Sequence, residues 1–510
     1  MNHSKVTVFT GILIAVLMFS GCQSDPLEEP VVENPAQEEP AKEEPEPTQT
    51  PDEAPGESEV PVEPEETVEP EETVEPEETV EPETQEDPEE EANRVYVTIT
   101  GLNFREGPSS QTRVLRVLDY KEPLMLTQNQ EEKWLEAEDE NGTVGWVYAD
   151  YVGAEVAAAI TKVYSDVDYS AYEKDTDFEN NPPVKVRGIY VSGNSAASNI
   201  DYYIDLIKNS ELNTLIIDVK DDNGNLLYPS EAAEGLFKDS YRYHIKEIEP
   251  VMERLKAEGI YLIARVVAFK SPRYATLYPE RAISYKTGGT YKDNNGIYWA
   301  SPYDQDLWAY LIAVSKEAAD VGFNEIQYDY VRFPTSGGAN LDSMLDYKNP
   351  LGETKTKAVQ DFIKKAQEDL QEKEVFISAD VYGWTATAVN DVGIGQHWEA
   401  ISNVVDIISP MSYPSHYGQG NFGFEVPDAH PYEVLREATK DAIQRNQNIE
   451  TPAVIRPWIQ YFTATWVKGH ISYGIREVNL QIQAMKELGV EEYMLWNSRN
   501  VYGIEGLGVE

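Results

Sequence analysis

Phe323-Asn324-Glu325-Ile326-Gln327-Tyr328-Asp329-Tyr330-Val331-Arg332-Phe333-Pro334 is the stretch whose reading decides the fold. The run before it, Leu307 to Gly322, has helical spacing and ends on a glycine that can cap a helix. The stretch then reads as a short strand closed by Pro334. Strand side chains alternate between faces, so Gln327, Asp329 and Val331 share one face, and Tyr328, Tyr330 and Arg332 the other. An unpaired carboxylate in a strand interior is costly. Asp329 is therefore either paired for structure or placed at the mouth of a site, because in α/β folds sites form beyond the carboxyl ends of parallel strands. Arg332 has the opposite parity, which predicts packing or a local ion pair unless a bulge turns it inward.

The alternation repeats on both sides. Strand-like runs cover 186–192, 214–220, 261–269, 325–332, 375–382, 405–411, 453–460 and 492–497. Helix-patterned runs at 201–210, 241–258, 307–321, 355–372, 431–446 and 475–488 lie between most of them. The weakest connection, 382–405, carries one short helical run near His397–Asn403. Eight strands with crossovers predict an α/β fold of the closed (β/α)8 kind, a TIM barrel over residues 185–510. An open doubly wound sheet is the rival, and no Gly-rich phosphate loop follows any strand to support it.

In such a barrel the inward residues near strand ends make the site. The parity that contains the polar residues gives Tyr190, Asp218 with Lys220, Arg265, Gln327 with Asp329, Asp380 with Tyr382, Met411 with Tyr413, Arg456 with Trp458 and Gln460, and Trp496. Three separate strands thus end near an aspartate: Asp218, Asp329 and Asp380. Tyr190, Trp384, Tyr413, Trp458 and Trp496 ring them. Aromatic faces stack on sugar rings, while carboxylates, Arg and Gln hydrogen-bond hydroxyls. Paired carboxylates within aromatic walls are what glycoside cleavage needs, one donating a proton and the other attacking or activating water.

Those runs also resemble a known family. Arg187-Gly188-Ile189-Tyr190, Ile217-Asp218-Val219-Lys220-Asp221, Ala264-Arg265, Gln327 to Pro334, Ser378-Ala379-Asp380, Ser409-Pro410-Met411-Ser412-Tyr413-Pro414, Arg456-Pro457-Trp458 and Trp496-Asn497 are similar to a bacterial glycosyl hydrolase domain family of TIM-barrel fold in the amylase-like superfamily. In amylase-like relatives the strand-four aspartate is the nucleophile and a strand-five glutamate is the acid. This chain departs from that pattern, because strand five offers Asp380. The resemblance implies Asp329 as nucleophile or base. Either Asp380 takes the acid role, or the acid comes from elsewhere and strand five serves binding. Tyr190, Asp218, Lys220, Arg265, Gln327, Trp384, Met411, Tyr413, Arg456, Trp458 and Trp496 are then expected to bind substrate.

The six histidines show no metal-ligand spacing, so neither a metal nor another cofactor is expected. No Gly-x-Ser-x-Gly nucleophile elbow occurs. A metal-dependent deacetylase would need an Asp/His/His cluster that the chain lacks.

The formal net charge is −50, with no basic stripe, which argues against a nucleic-acid partner. Residues 26–92 hold 28 acidic residues and one lysine, with three tandem copies of Glu-Pro-Glu-Glu-Thr-Val (63–68, 69–74, 75–80). Such a segment cannot offset its conformational entropy by burial, so residues 22–92 read as a disordered Pro/Glu-rich stalk. Before it, Lys5, an apolar run from Val6 to Phe19 and Ser20-Gly21-Cys22 have the layout of an export signal over residues 1–21. Cys22 is the lone cysteine, and its setting resembles a bacterial lipoprotein signal. That implies acylation of Cys22 and extracytoplasmic anchoring to the cell membrane; an ordinary secretory signal is the alternative.

Residues 93–153 carry short β-rich runs between turn signals, the pattern of a small barrel. Leu102 to Ser109 and Gly145 to Val152 resemble the bacterial SH3-like domain, which implies wall peptides or glycans as ligands. Trp134, Trp146 and Tyr148 are candidates for a groove, with a core role favoured for Trp146. Residues 154–184 read as a linker. The whole reads as a surface-anchored hydrolase of cell-wall or extracellular polysaccharide, peptidoglycan included. The alternative is a non-catalytic glycan-binding or wall-organising lipoprotein.

Overall fold

In the computed structural model, one repeat shows how the sequence writes the rest. Asp304 caps the helix Gln305–Val321 by accepting a hydrogen bond from the Asp306 amide, and Gly322 ends it at φ 103°. The chain then enters the strand Glu325–Asp329 directly. The structure describes residues 93–98, 102–118, 120–153, 164–174, 178–335 and 340–508, all in one compact unit. The expected signal, Cys22 and the acidic stalk lie outside the described residues.

Eight parallel strand positions close into a ring: β8 Arg187–Val191, β9 Thr214–Lys220, β10 Tyr261–Val267, β12 Glu325–Asp329, β14 Phe376–Tyr382, β15 Ile407–Met411, the pair β16 Val454–Ile455 and β17 Trp458–Gln460, and β18 Tyr493–Trp496. β14 pairs with β15, and β18 returns to β8 in parallel, so the barrel has no free edge. Helices α1 Gly193–Lys208, α2 Glu231–Phe237, α3 Glu249–Ala257, α5 Gln305–Val321, α7 Lys355–Leu370, α8 Trp398–Ser402, α9 Pro431–Asn446 and α10 Ile475–Lys486 follow or flank the strands. The larger core lies between strands and helices, and a smaller one, including Ile216, Ile263, Phe376, Ile407 and Met494, fills the ring. The loops after β10 and β12 also contain α4 Pro272–Leu277 and α6 Leu341–Met344. They are tied together by an antiparallel pair, β11 Ser284–Tyr285 with β13 Leu345–Asp346.

Among the boundaries that differ from the sequence reading, three have a local cause. The helix expected over 241–258 begins at Glu249, with Pro250 in its first turn, where a missing N–H costs nothing. Before it the chain is extended, and the Leu226 amide donates to Arg242 O. The strand expected over 325–332 stops at Asp329, because Tyr330 takes φ 51°. The run 453–460 splits at Arg456-Pro457, where proline has no N–H for the ladder.

Residues 94–153 form a seven-stranded antiparallel sheet: β1 Arg94–Val97, β2 Leu102–Arg105, β3 Val114–Leu118, β4 Pro123–Glu131, β5 Trp134–Asp139, β6 Val144–Tyr148 and β7 Val152–Gly153. Its core is Val95, Val97, Leu102, Phe104, Leu118, Leu124, Ala137, Val147 and Val152. Trp146 is not in that core. Phe104 and Val147 fill the space, and Trp146 alternates to the half-buried face. Trp134 and Tyr148 meet edge to face at 5.4 Å, with Tyr151 beside them.

Tyr120 joins this sheet to the barrel. Its hydroxyl donates to Gln444 O (3.2 Å) and Asn448 Oδ1 (2.9 Å) at the end of α9. The described parts of the expected linker also lie against the barrel. The Lys174 ammonium donates to Ser402 O (2.9 Å) and Thr451 O (2.7 Å), and Asn181 donates to Asn324 O (2.7 Å) and Glu374 O (2.8 Å). Among the described residues, no helix is long and apolar enough to cross a membrane.

Candidate active site

At the carboxyl end of the ring, Arg265 from β10 gathers three carboxylates. Its Nε donates to Asp329 Oδ2 at 2.9 Å, Nη1 to Asp218 Oδ1 at 2.5 Å and Nη2 to Asp222 Oδ1 at 3.3 Å. Lys270 closes the cluster, donating to Asp222 Oδ2 at 2.7 Å and to the Tyr330 hydroxyl at 3.3 Å. Asp329 ends β12, and its Oδ1 accepts the Tyr330 N–H. The left-handed turn at Tyr330 is sterically poor for a bulky residue. It is held by the Ala268 amide on Asp329 O (2.7 Å) and the Phe269 amide on Tyr330 O (3.2 Å). The strain thus buys the orientation of the Asp329 carboxylate.

Asp380 sits on the neighbouring strand β14, nearly sealed from solvent, and its Oδ1 accepts the Trp458 Nε1–H at 2.7 Å. Burial, reinforced by the charge of Asp329, pushes its carboxyl well above the usual carboxylate range. Asp218 is also raised, to about 6, by burial that Arg265 and the Tyr190 hydroxyl only partly offset. Asp222 goes the other way: burial opposes its charge, but Lys270 and Arg265 prevail and hold it below the usual range. Arg265 is raised because Asp329, Asp218 and Asp222 outweigh its burial. Burial lowers Lys220 to about 8, and its ammonium donates to Val267 O at 2.6 Å.

The structure brings Tyr190, Asp218, Arg265, Asp329, Asp380, Trp458 and Trp496 together. Tyr190 stacks on Trp496 at 4.2 Å and donates to Asp218 at 2.6 Å, so its ring and hydroxyl are both engaged. Trp458 is buried and meets Trp496 edge to face at 5.6 Å; its indole positions Asp380 and presents no open face. Met411 and Tyr413 line the β15 side, with Tyr413 5.8 Å from Phe462. Trp384 is 38% exposed just beyond β14, beside Tyr417 and Phe422.

Two expected binding residues lie elsewhere. Arg456 is at the opposite, amino end of the ring, where its Nη1 holds both oxygens of Glu325 (2.8 Å each) and its Nε donates to Glu492 (2.8 Å). It falls there because its strand breaks at Pro457 and Glu325 opens β12 two inward positions below Asp329. Gln327 is sealed beneath Asp329, with its amide nitrogen 3.5 Å from Met494 Sδ. The pleat puts it on the right face at the wrong depth.

Sequence reasoning missed Asp222, Lys270, Phe462 and Trp466. Trp466 is 57% exposed and stacks on Phe462 at 5.9 Å, next to His416. The aromatic run past β17 and the Asp221-Asp222 pair past β9 were the available signals. Arg332 forms no ion pair among the described residues. It lies over three rings, Trp299 (4.9 Å), Tyr330 (4.9 Å) and Tyr382 (4.6 Å). No group of three or more His, Cys, Asp or Glu able to hold a metal occurs among the described residues.

A closed (β/α)8 barrel with acidic side chains gathered at its carboxyl mouth is a common enzyme architecture. Residues 188–502 match the family described as "Putative glycosyl hydrolase domain", and the chain belongs to that family. Residues 100–153 match the bacterial SH3 domain family. A hypothetical protein from Ruminiclostridium thermocellum is 33% identical, over 38% of this chain and 97% of that one, with a TM-score of 0.33. The PgaB (BpsB) glycoside hydrolase domain from Bordetella bronchiseptica is 12% identical over 62% and 94%, with a TM-score of 0.45. The spore cortex-lytic enzyme SleL from Bacillus megaterium is 12% identical over 63% and 73%, with a TM-score of 0.37. Among curated proteins no match was found.

Proposed function

We propose that the protein is a surface-anchored glycoside hydrolase acting on a cell-wall or extracellular polysaccharide. The observation that carries this reading is the pairing of a buried Asp380, its carboxyl pushed above the usual carboxylate range, with an ion-paired Asp329 on the adjacent strand. Membership of the glycosyl hydrolase family supports it. Asp380 donates its proton to the glycosidic oxygen as the bond to the anomeric carbon breaks. The Asp329 carboxylate either attacks that carbon or takes a proton from the water that does. Arg265 fixes Asp329 Oδ2, and the Trp458 indole fixes Asp380 Oδ1. Asp218 and Lys220 bind or tune charge, and Trp384, Met411, Tyr413 and Trp496 contribute walls. Cys22 carries the anchor, and the acidic stalk and SH3-like sheet place the barrel against its polymer.

The test is reducing-end release from purified wall and biofilm glycans. The wild type should release ends, whereas Asp329→Asn and Asp380→Asn should each lower the rate by roughly a hundredfold or more, with the circular dichroism of a folded domain at the assay temperature. Full turnover by Asp329→Asn sinks the assignment. Glycan binding without release by the wild type would favour the non-catalytic, wall-organising reading. Fatty-acid labelling that persists in Cys22→Ser would refute the anchor.

A further inference from the structure

Arg332 is buried to 6% exposure, yet no carboxylate neutralises it among the described residues. In a chain with 91 acidic and 41 basic residues, that is the unusual outcome. Nearby cations are matched: Arg265 by Asp218, Asp222 and Asp329, and Lys270 by Asp222. A cation removed from water needs compensation. Here the faces of the guanidinium receive it from Trp299, Tyr330 and Tyr382. Its edge is largely unused. Of five N–H donors, one goes to a protein acceptor among the described residues, Nη1 to Phe333 O at 2.9 Å.

The position matters as much as the charge. Arg332 lies three residues past Asp329, and one of its rings, Tyr382, lies two residues past Asp380. The left-handed turn at Tyr330 carries both Asp329 and Arg332, so one strained residue sets the aspartate and the arginine together. A planar guanidinium with its faces clamped and one N–H given to a protein acceptor among the described residues keeps the fork that matches a carboxylate.

We propose that Arg332 recognises a carboxylate carried by the glycan, so that the polymer bound at this mouth is an acidic one. The carboxylate belongs either to a hexuronic acid or to a lactyl ether on an amino sugar. The inference rests on the mouth being a glycan site, and does not depend on the roles of Asp329 and Asp380. The protein's own negative charge does not forbid it, because salt screens charges beyond roughly 8 Å at physiological strength.

The experiment measures binding of the full chain by calorimetry to four probes. They are a hexagalacturonate, the same oligomer after carboxyl reduction, peptide-free wall glycan strands with lactyl groups, and those strands after carboxyl reduction. Wild type should bind one acidic probe roughly ten- to a hundredfold more tightly than its reduced partner, the range of a charge-assisted hydrogen bond. Arg332→Gln should erase that preference while leaving the affinity for the reduced probe unchanged. Equal binding of acidic and reduced probes by the wild type overturns the inference and leaves the glycan mouth standing. So does an acid preference that survives in folded Arg332→Gln. Failure of all four probes to bind, with no ends released, overturns both. If Arg332→Gln does not fold, the wild-type comparison alone decides.

Discussion

Arg456→Met isolates the ion cluster at the closed end of the barrel. Glu325 is fully buried, and Arg456 supplies two hydrogen bonds of 2.8 Å to it. The remaining donors are the Ser378 hydroxyl at 2.5 Å and the Tyr261 hydroxyl at a long 3.4 Å. Methionine fills much of the volume but strands that carboxylate, while Glu492 loses its 2.8 Å partner and keeps the Val186 amide at 3.2 Å. Breaking a buried pair from one side costs about 3–5 kcal/mol, set against a typical total stability of about 5–15 kcal/mol. The double variant Glu325→Gln/Arg456→Met removes the stranded charge as well and should return most of the loss, to within about 1–2 kcal/mol of wild type. Urea unfolding followed by tryptophan fluorescence reads the barrel directly, since seven of the nine tryptophans lie in it. A single variant within 1 kcal/mol of wild type would refute the argument. Loss of glycan binding with stability intact would return Arg456 to a substrate role.

Asp380→Asn should lose activity yet be at least as stable as wild type at neutral pH. Its folded pKa is raised, so the native state keeps a proton that the unfolded chain releases above about pH 4, and that stability drains away as pH rises. The variant should therefore show a flatter stability profile above about pH 4, and an unchanged slope would exclude a protonated native Asp380. Gly383→Ala places a Cβ 2.5 Å from Met411 O and 2.7 Å from the Tyr417 hydroxyl. It should destabilise the barrel by about 2 kcal/mol and disturb the Trp384 turn, measurable as a lower urea midpoint. Tyr120→Phe removes hydrogen bonds to Asn448 and Gln444. It should loosen the SH3-like sheet from α9 by about 1 kcal/mol, seen as faster hydrogen exchange near Gln444–Asn448 with the barrel midpoint unchanged.

How far the sequence reached is clearest in particular residues. Thr214–Lys220 carries the apolar run Leu215-Ile216-Ile217 and Val219 and is buried throughout, as a strand covered on both faces must be. Gly322 marked a real boundary, because its backbone limit is local, whereas the strand ended at Asp329, ahead of Pro334, where Tyr330 turns left-handed. Asp218, Asp329 and Asp380 could be placed at strand ends by counting alone. Arg456 and Gln327 could not be placed, because alternation gives the face of a strand and says nothing of depth in the ring. Trp146 went to the outer face of its sheet because Phe104 and Val147 already filled the inside.

The sequence by itself determined the periodic repeat, the number of barrel strands and the acidic character of their ends, since each depends on residues within a few positions of one another. Only the tertiary structure decided which charges pair. Arg265 meets Asp218 and Asp329 from 47 and 64 residues away, while Arg332 meets three rings and, among the described residues, no acid. Ring closure fixes those distances. They in turn leave Asp380 with its carboxyl pushed up by burial beside an ion-paired neighbour, a difference in environment that residue types alone cannot encode.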